Sequence, residues 1–110
     1  MSSRQSTVDF ILDQIAGAGM VTAKKMFGEY ALYCNNKVVA LVCDDQLFVK
    51  PTNAGKAFIN DFVEGIPYPG AKPYLLIPAD LWDEREWLTN LIQITALELP
   101  APKIKKVIKK

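Results

Sequence analysis

The chain has 110 residues, 50% of them hydrophobic, which is enough for one domain with its own core and no need of disulfide or metal staples. It contains no histidine, which excludes Ser-His-Asp and Cys-His catalysis and the zinc sites that use histidine ligands. Its 2 cysteines are too few for an all-cysteine zinc site, and no apolar run reaches the ~20 residues that span a bilayer.

The N-terminal segment predicts a helix. Ser6 or Thr7 is expected to cap it, because either hydroxyl can accept a hydrogen bond from a backbone N–H of the first turn. The apolar residues that follow recur at helical spacing: Val8, Ile11, Leu12 and Ile15. Gly17 and Gly19 are expected to end the helix. The first residues show no charged-then-apolar signal pattern, so we expect a cytoplasmic location.

Residues 21–50 predict four strands. Residues 21–27 are extended, and Gly28 breaks the run as a bulge or sharp bend does. Three apolar stretches follow at 29–34, 37–43 and 46–50, separated by the turn signals Asn35-Asn36 and Asp44-Asp45. This spacing is typical of a three-stranded antiparallel meander. The middle stretch is apolar on both faces and is therefore predicted at the centre of the sheet.

Strand alternation predicts which side chains share a face of this meander. One face is predicted to hold Tyr30, Leu32, Val39, Leu41 and Phe48. The other face is predicted to hold Tyr33, Val38, Ala40, Val42, Leu47 and Val49. Few positive charges interleave with the aromatic residues, so we expect these rings to pack in the core rather than to stack on unpaired bases.

The two cysteines can be placed on the same meander. A two-residue turn at Asn35-Asn36 puts Cys34 opposite Lys37 and Cys43 opposite Gly28. The cysteines then lie roughly 20 Å apart at ~3.3 Å per residue, whereas a disulfide needs Cα atoms within about 7 Å. We therefore predict two free thiols that act as small buried hydrophobic groups.

The second half of the chain predicts a helix, a loop, a strand and a final helix. Pro51-Thr52-Asn53 ends the meander and starts a helix over 54–62, and the proline-rich stretch 65–73 is a loop that exposes Tyr68 and Lys72. A strand follows at 74–77, and a last helix runs from Asp80 to about Leu99. The order α-β-β-β-β-α-β-α predicts an α+β fold: a two-layer sandwich with a mostly antiparallel sheet and about three helices.

The C-terminal segment is strongly basic. Of the 13 basic residues, five lie in the last eight positions, which hold no acid: Lys103, Lys105, Lys106, Lys109 and Lys110. Such a segment can contact nucleic-acid phosphates with salt-dependent, sequence-independent affinity. The interleaved Ile104, Val107 and Ile108 also suit an amphipathic helix on a partner or an anionic surface, and the plainest reading is a disordered solubilising tail. We expect a domain over residues 1–100 and a disordered basic tail over 101–110.

Two further groups of charged residues are candidate sites. Asp44-Asp45 and the acids at the start of the last helix (Asp80, Asp83, Glu84 and Glu86) could serve acid–base chemistry or hold magnesium, but turn chemistry and helix capping explain them more simply. Lys24 and Lys25 could join Lys50 and Lys72 in a small positive patch, although lysines on a solvated edge strand are more ordinary. Lys24, Lys25, Tyr68 and Lys72 are our candidate interaction surface.

The stretch MFGEYALY, a turn, and then VVALVCDDQLFVK resembles the N-terminal domain of the TfoX/Sxy family. Members typically read MFGGYGLY, a turn, an apolar strand and a D-D/N-x-L-Y/F-x-K ending. The matching residues here are Met26, Phe27, Gly28, Tyr30, Leu32, Tyr33, Asp45, Leu47, Phe48 and Lys50. PYPGAKPYLLIPADLWDEREWLTNLI is similar to the family's proline-rich loop, strand and Trp-containing final helix, so the resemblance covers residues 8–100. Glu29 and Ala31 stand where members often have glycine.

The resemblance implies a role in transcriptional regulation. TfoX proteins are implicated as positive regulators of competence genes beside a cyclic-AMP-responsive activator, and full-length members add a second helical domain that this sequence lacks. We therefore expect a stand-alone N-terminal domain that is not an enzyme, uses no cofactor or metal, and contacts a protein of the transcription machinery or a regulator. The alternative is non-specific nucleic-acid binding through the lysine-rich tail.

Overall fold

The computed structural model describes residues 4–26 and 29–100. Its helices are α1 (Gln5–Gln14), α2 (Asn53–Ile59) and α3 (Arg85–Glu98). Its strands are β1 (Val21–Met26), β2 (Glu29–Cys34), β3 (Lys37–Cys43), β4 (Gln46–Val49), β5 (Val63–Gly65) and β6 (Tyr74–Ile77). Short 3-10 turns lie at Ala16–Ala18 and Ala79–Leu81.

All of these strands join one antiparallel sheet in the order β1-β2-β3-β4-β6-β5. Residues of all three helices pack on one face of the sheet, so the molecule has two layers and the predicted α+β class is confirmed. The sequence did not predict β5, a strand of three residues that pairs with β6. A Cβ at its last residue, Gly65, would lie 3.0 Å from the Phe48 ring, so glycine lets the aromatic ring fill this space.

The meander turns are confirmed, with β3 in the interior of the sheet. Asn35 and Asn36 have φ of 53° and 68°, and Asp44 and Asp45 have φ of 54° and 55°. Two consecutive left-handed residues form a type I′ turn, whose twist matches that of paired strands, and Asn and Asp tolerate this conformation better than other side chains.

A β-bulge changes the predicted register of the β2–β3 hairpin. Cys34 pairs with Lys37 and Tyr33 with Val38 as the turn dictates, but Leu32 pairs with Ala40, so Val39 is an extra residue. Beyond the bulge every side chain of β3 lies on the opposite face from that expected. The prediction that Leu41 and Phe48 share a face with Tyr30 and Leu32 is therefore wrong.

The helix side of the sheet carries the main core. Its fully buried side chains come from both layers: Val8, Ile11, Ile15, Leu32, Val39, Val42, Leu47, Val49, Leu75, Leu88, Leu91 and Ile92. In α3, Ala96 rather than Leu97 faces the core. Thr95 is also buried, and its hydroxyl is satisfied there because it donates a hydrogen bond to the Leu91 carbonyl at 2.7 Å. Phe58 of α2 packs on Trp87 of α3 with ring centroids 5.6 Å apart.

Two helix starts differ from the prediction. Residue 4, not Ser6 or Thr7, is the N-cap of α1, and it makes no side-chain cap hydrogen bond. Instead the Asp45 carboxylate accepts hydrogen bonds from the Arg4 backbone N–H at 2.9 Å and from the Thr7 hydroxyl at 3.0 Å.

The last helix begins at Arg85 rather than at Asp80, because Asp80 lies in a separate 3-10 turn. Just after this turn, the Trp82 indole N–H donates to the Ile77 carbonyl at 3.1 Å. Thr52 caps α2 as expected, with its Oγ1 accepting the Gly55 N–H at 2.9 Å.

Both cysteines are free and buried, as predicted. Cys34 faces the helix-side core, and its thiol lies 3.8 Å from the Ala18 carbonyl oxygen. Cys43 belongs to a separate cluster on the other side of the sheet. Gly28, the residue expected opposite Cys43, lies outside the described residues.

Candidate interaction surface

The five predicted nucleic-acid contacts, Lys103 to Lys110, lie outside the described residues, so the structure places Lys24, Lys25, Tyr68 and Lys72 of the candidate set. Lys24 and Lys25 are exposed on β1, which is an edge strand. Lys24 pairs with Ala31 and Lys25 with Tyr30. Because Tyr30 belongs to the helix-side core and Ala31 does not, the two lysines lie on opposite faces and do not form one patch.

The side of the sheet away from the helices, which we call the outer face, is also apolar. Its buried members are Ala31, Leu41, Cys43 and Phe48. Its partly buried members are Tyr33, Val38, Tyr74 and Leu76. All eight of these residues come from strands, so no described helix contributes to this cluster. The Lys24 ammonium lies 5.4 Å from the centroid of the Tyr33 ring on this face, a cation–π contact.

The loop between β5 and β6 borders a groove on the outer face. The groove has a volume of about 290 Å³ and is lined by Met26, Glu29, Tyr30, Leu41, Cys43 and Tyr68. Tyr68 is 50% exposed and Met26 is 38% exposed, so an aromatic and a thioether side chain meet solvent at its rim. Lys72 is exposed in the same loop but does not line the groove.

The Cys43 thiol, which lines this groove, and the Tyr74 hydroxyl both have a raised pKa, so both are neutral near neutral pH. Burial, followed by the charges of Glu29 and Asp44, raises the pKa of the Cys43 thiol from 9.0 to about 11. Burial, with Tyr68 and Cys43 nearby, raises the pKa of the Tyr74 hydroxyl. The groove therefore offers an apolar surface to a ligand rather than a thiolate nucleophile.

The carboxylates with the clearest interactions serve the fold. Hydrogen bonds from the Arg4 backbone and the Thr7 hydroxyl hold the pKa of Asp45 below its ordinary value. The Glu98 carboxylate accepts the backbone N–H groups of Asn53 and Ala54, each at 2.9 Å, which caps α2 and lowers the pKa of Glu98. Over residues 4–26 and 29–100 no cluster of His, Cys, Asp or Glu could hold a metal ion.

The sequence predicts the exposure of Tyr68 but not its place beside Met26, Leu41 and Cys43. The hydrophobic pattern of β3 marks Leu41 and Cys43 as apolar, but their assignment to the outer face depends on the bulge at Val39.

Among the described helices, none combines the length and the apolar character needed to cross a membrane.

The amino-acid sequence is similar to known proteins over nearly its whole length. The chain is 42% identical over 106 residues to an uncharacterized 12.7 kDa protein in the trpE 5′ region of Spirochaeta aurantia, and the match covers 96% of this chain and 91% of that relative. Residues 13–98 match the family model described as the TfoX N-terminal domain. The matched region runs from the end of α1 to the end of α3 and so contains the whole sheet and its outer face. The chain therefore belongs to the TfoX N-terminal domain family.

Proposed function

We propose that this protein is a non-catalytic interaction module that binds a protein of the transcription machinery or a transcriptional regulator. Family membership supports the regulatory setting, since TfoX proteins are implicated in the control of competence genes. The observation that carries the proposal is the apolar groove of the outer face, with Tyr68 and Met26 exposed at its rim.

The chemistry of the groove suits an apolar side chain of a protein partner. Tyr and Met are enriched at protein interfaces, because Tyr provides a large surface at low entropic cost and Met adapts its shape to the partner. Glu29 lines the groove, and the Lys24 ammonium lies over the Tyr33 ring elsewhere on the same face, so the outer face carries charges of both signs. An interface with an apolar centre and a polar rim is the usual arrangement for protein recognition.

The non-catalytic part of the proposal is supported by the structural hydrogen bonds and ion pairs that several acidic residues make. Asp45 and Glu98 bond to helix N-termini, and Asp13 pairs with Arg85 at 3.1 Å. A carboxyl group that acts as a general acid near neutral pH is expected to lie in a cleft and to have a raised pKa. The pKa values of Asp45 and Glu98 are lowered instead.

Affinity capture tests this function. The tagged full chain is expressed in cells of its source organism and captured from a nuclease-treated extract, and transcription proteins are quantified in the eluate. We expect Tyr68→Asp to lose the captured partner, because it places a charge at the rim of the apolar groove. Leu97→Asp is the matched control, since Leu97 is 77% exposed on α3 in the other layer. Equal capture by the wild type and Tyr68→Asp would contradict the proposal.

A second candidate function is non-specific nucleic-acid binding through Lys103, Lys105, Lys106, Lys109 and Lys110. The concentration of basic residues in this segment favours it. The test is retention on a DNA column at low salt by the full chain and by a chain that ends at residue 100. The candidate requires the full chain to be retained, to elute as salt rises and to lose retention on truncation. Unchanged retention after truncation rules it out.

A further inference from the structure

One edge of the sheet leaves backbone groups without a described partner. β1 is terminal in the strand order and has six residues, of which Thr22, Lys24, Lys25 and Met26 are exposed. The opposite edge, β5, has three residues. An edge strand of six residues presents enough N–H and C=O groups to pair with a further strand.

The ladder between β1 and β2 fixes which groups face outward. The Asn35 N–H donates to the Met20 carbonyl at 2.9 Å, and the same register pairs Thr22 with Tyr33 and Lys24 with Ala31. Hydrogen-bonded and non-hydrogen-bonded pairs alternate along an antiparallel ladder. Residues 20, 22, 24 and 26 therefore direct their backbone groups toward β2, and Val21, Ala23 and Lys25 direct theirs away from the sheet.

The side chains of β1 define the charge of a partner strand. β1 contains two lysines and no acid, and no described carboxylate makes an ion pair with either lysine. Because Lys24 and Lys25 lie on opposite faces, an added strand would meet them with two consecutive side chains, one on each face. Opposite charges directly across a strand pair are stabilising and like charges are destabilising.

We propose that β1 binds an extended segment of a partner protein by strand addition, and that this segment carries two neighbouring acidic residues. The inference rests on the proposed function and adds to it the docking edge and the charge of the partner. The edge is continuous with the groove, because Met26 is both the last residue of β1 and part of the groove lining. The same lysines hinder pairing with neutral or basic strands, and thus protect the edge from self-association.

A pair of blocked peptides tests the charge and the place of binding. The probe has the sequence TTVEEVT, and its counterpart TTVKKVT differs only at the two central positions, where lysine reverses the charge. Each is titrated into the ¹⁵N-labelled full chain, with amide shifts followed by NMR. We expect TTVEEVT to change the amide chemical shifts of Val21–Met26 with a Kd of about 1 mM, because a single short strand forms few contacts. We expect TTVKKVT to leave these chemical shifts unchanged. Equal binding of the two peptides, shifts confined to other elements, or no shift overturns the inference.

Two variants test the mechanism. Ala23→Pro removes an outward N–H while leaving the β1–β2 hydrogen bonds in place, and it is expected to abolish the amide shifts. Ala23→Val keeps the N–H and is its control.

The double change Lys24→Glu and Lys25→Glu is expected to weaken the binding of TTVEEVT by at least about tenfold, and Lys56→Glu on α2 is its control. If Ala23→Pro does not fold, the lysine variant decides the question. Loss of partner capture by Tyr68→Asp together with no peptide effect on β1 would retain the proposed function and reject this inference.

Discussion

At the scale of single residues, side-chain chemistry decides where the backbone turns. The described non-glycine residues with positive φ are all Asn or Asp: Asn35, Asn36, Asp44, Asp45 and Asn60. These short polar side chains can bond to nearby backbone groups and so tolerate the left-handed conformation. For this reason the two meander turns could be located from the sequence without knowledge of the rest of the fold.

The Cys43 thiol is expected to react slowly at neutral pH. It is 5% exposed, and its pKa is raised to about 11 by burial and by the charges of Glu29 and Asp44. In a Cys34→Ala variant, the rate of alkylation by iodoacetamide should rise about tenfold per pH unit from pH 7 to about pH 10, because the thiolate is the reactive form. Mass spectrometry of the modified peptide gives the rate, and the urea-unfolded chain is the control. A profile that levels off near the ordinary cysteine pKa of 9.0 would contradict this expectation.

At the scale of elements, a contact distant in sequence replaces a local signal. Ser6 and Thr7 favour a local cap of α1, but the Asp45 carboxylate of the β3–β4 turn accepts from Arg4 and Thr7 instead. The turn itself is predictable from Asp44-Asp45, whereas its position beside the first turn of α1 is set by how the helix packs on the sheet. Turn and helix start therefore stabilise each other.

Asp45→Asn is expected to lower the stability of the protein at neutral pH. Asparagine keeps the tolerance for positive φ but removes the charge that the Arg4 and Thr7 donors favour. The folded-state pKa of Asp45 lies below its ordinary 3.8, so its contribution is fully present above pH 3.8 and is lost as the pH falls through the lower folded-state value. Urea unfolding should thus separate the wild type from the variant at pH 7 and bring them together in strong acid. Asp61→Asn, at an exposed carboxylate, serves as the control, and a pH-independent difference would argue against the charge effect.

The bulge in β3 also acts at the scale of elements, because it sets the register between β2 and β3. A two-residue turn fixes the register for the pairs next to it, and a simple continuation would place Val39 opposite Leu32. In the fold, both Val39 and Ala40 belong to the helix-side core, since the bulge adds one residue to β3. An apolar run such as VVALVC contains no signal for this choice, because each of its positions suits either face.

At the scale of the whole molecule, the two faces of the sheet are covered differently. Among the described residues, three helices pack on one face, and a proline-rich loop borders a groove on the other. The helix layer therefore carries the stability, while the outer face and the β1 edge present the surfaces to which we assign binding.

A matched pair of leucines in α3 tests this division. Leu91 is fully buried and Leu97 is 77% exposed on the same helix. Leu91→Ala is expected to reduce the free energy of unfolding by about 2–5 kcal/mol through lost burial and a cavity. Leu97→Ala is expected to change it by less than about 0.5 kcal/mol. Urea denaturation followed by circular dichroism measures both, and similar losses for the two variants would show that α3 packs differently.

The α+β class, the positions of the two meander turns, the interior position of β3, the free thiols and the exposure of Tyr68 could all be predicted from the sequence, because these follow from local residue chemistry and hydrophobic spacing. Only the tertiary structure decided the bulge at Val39, the capping of α1 by Asp45, the separation of Lys24 from Lys25 across the sheet, and the assembly of Met26, Leu41, Cys43 and Tyr68 around one groove. Each of these depends on which distant segments lie side by side. That choice is made by the packing of the whole core, in which a one-residue shift exchanges the two faces of a strand.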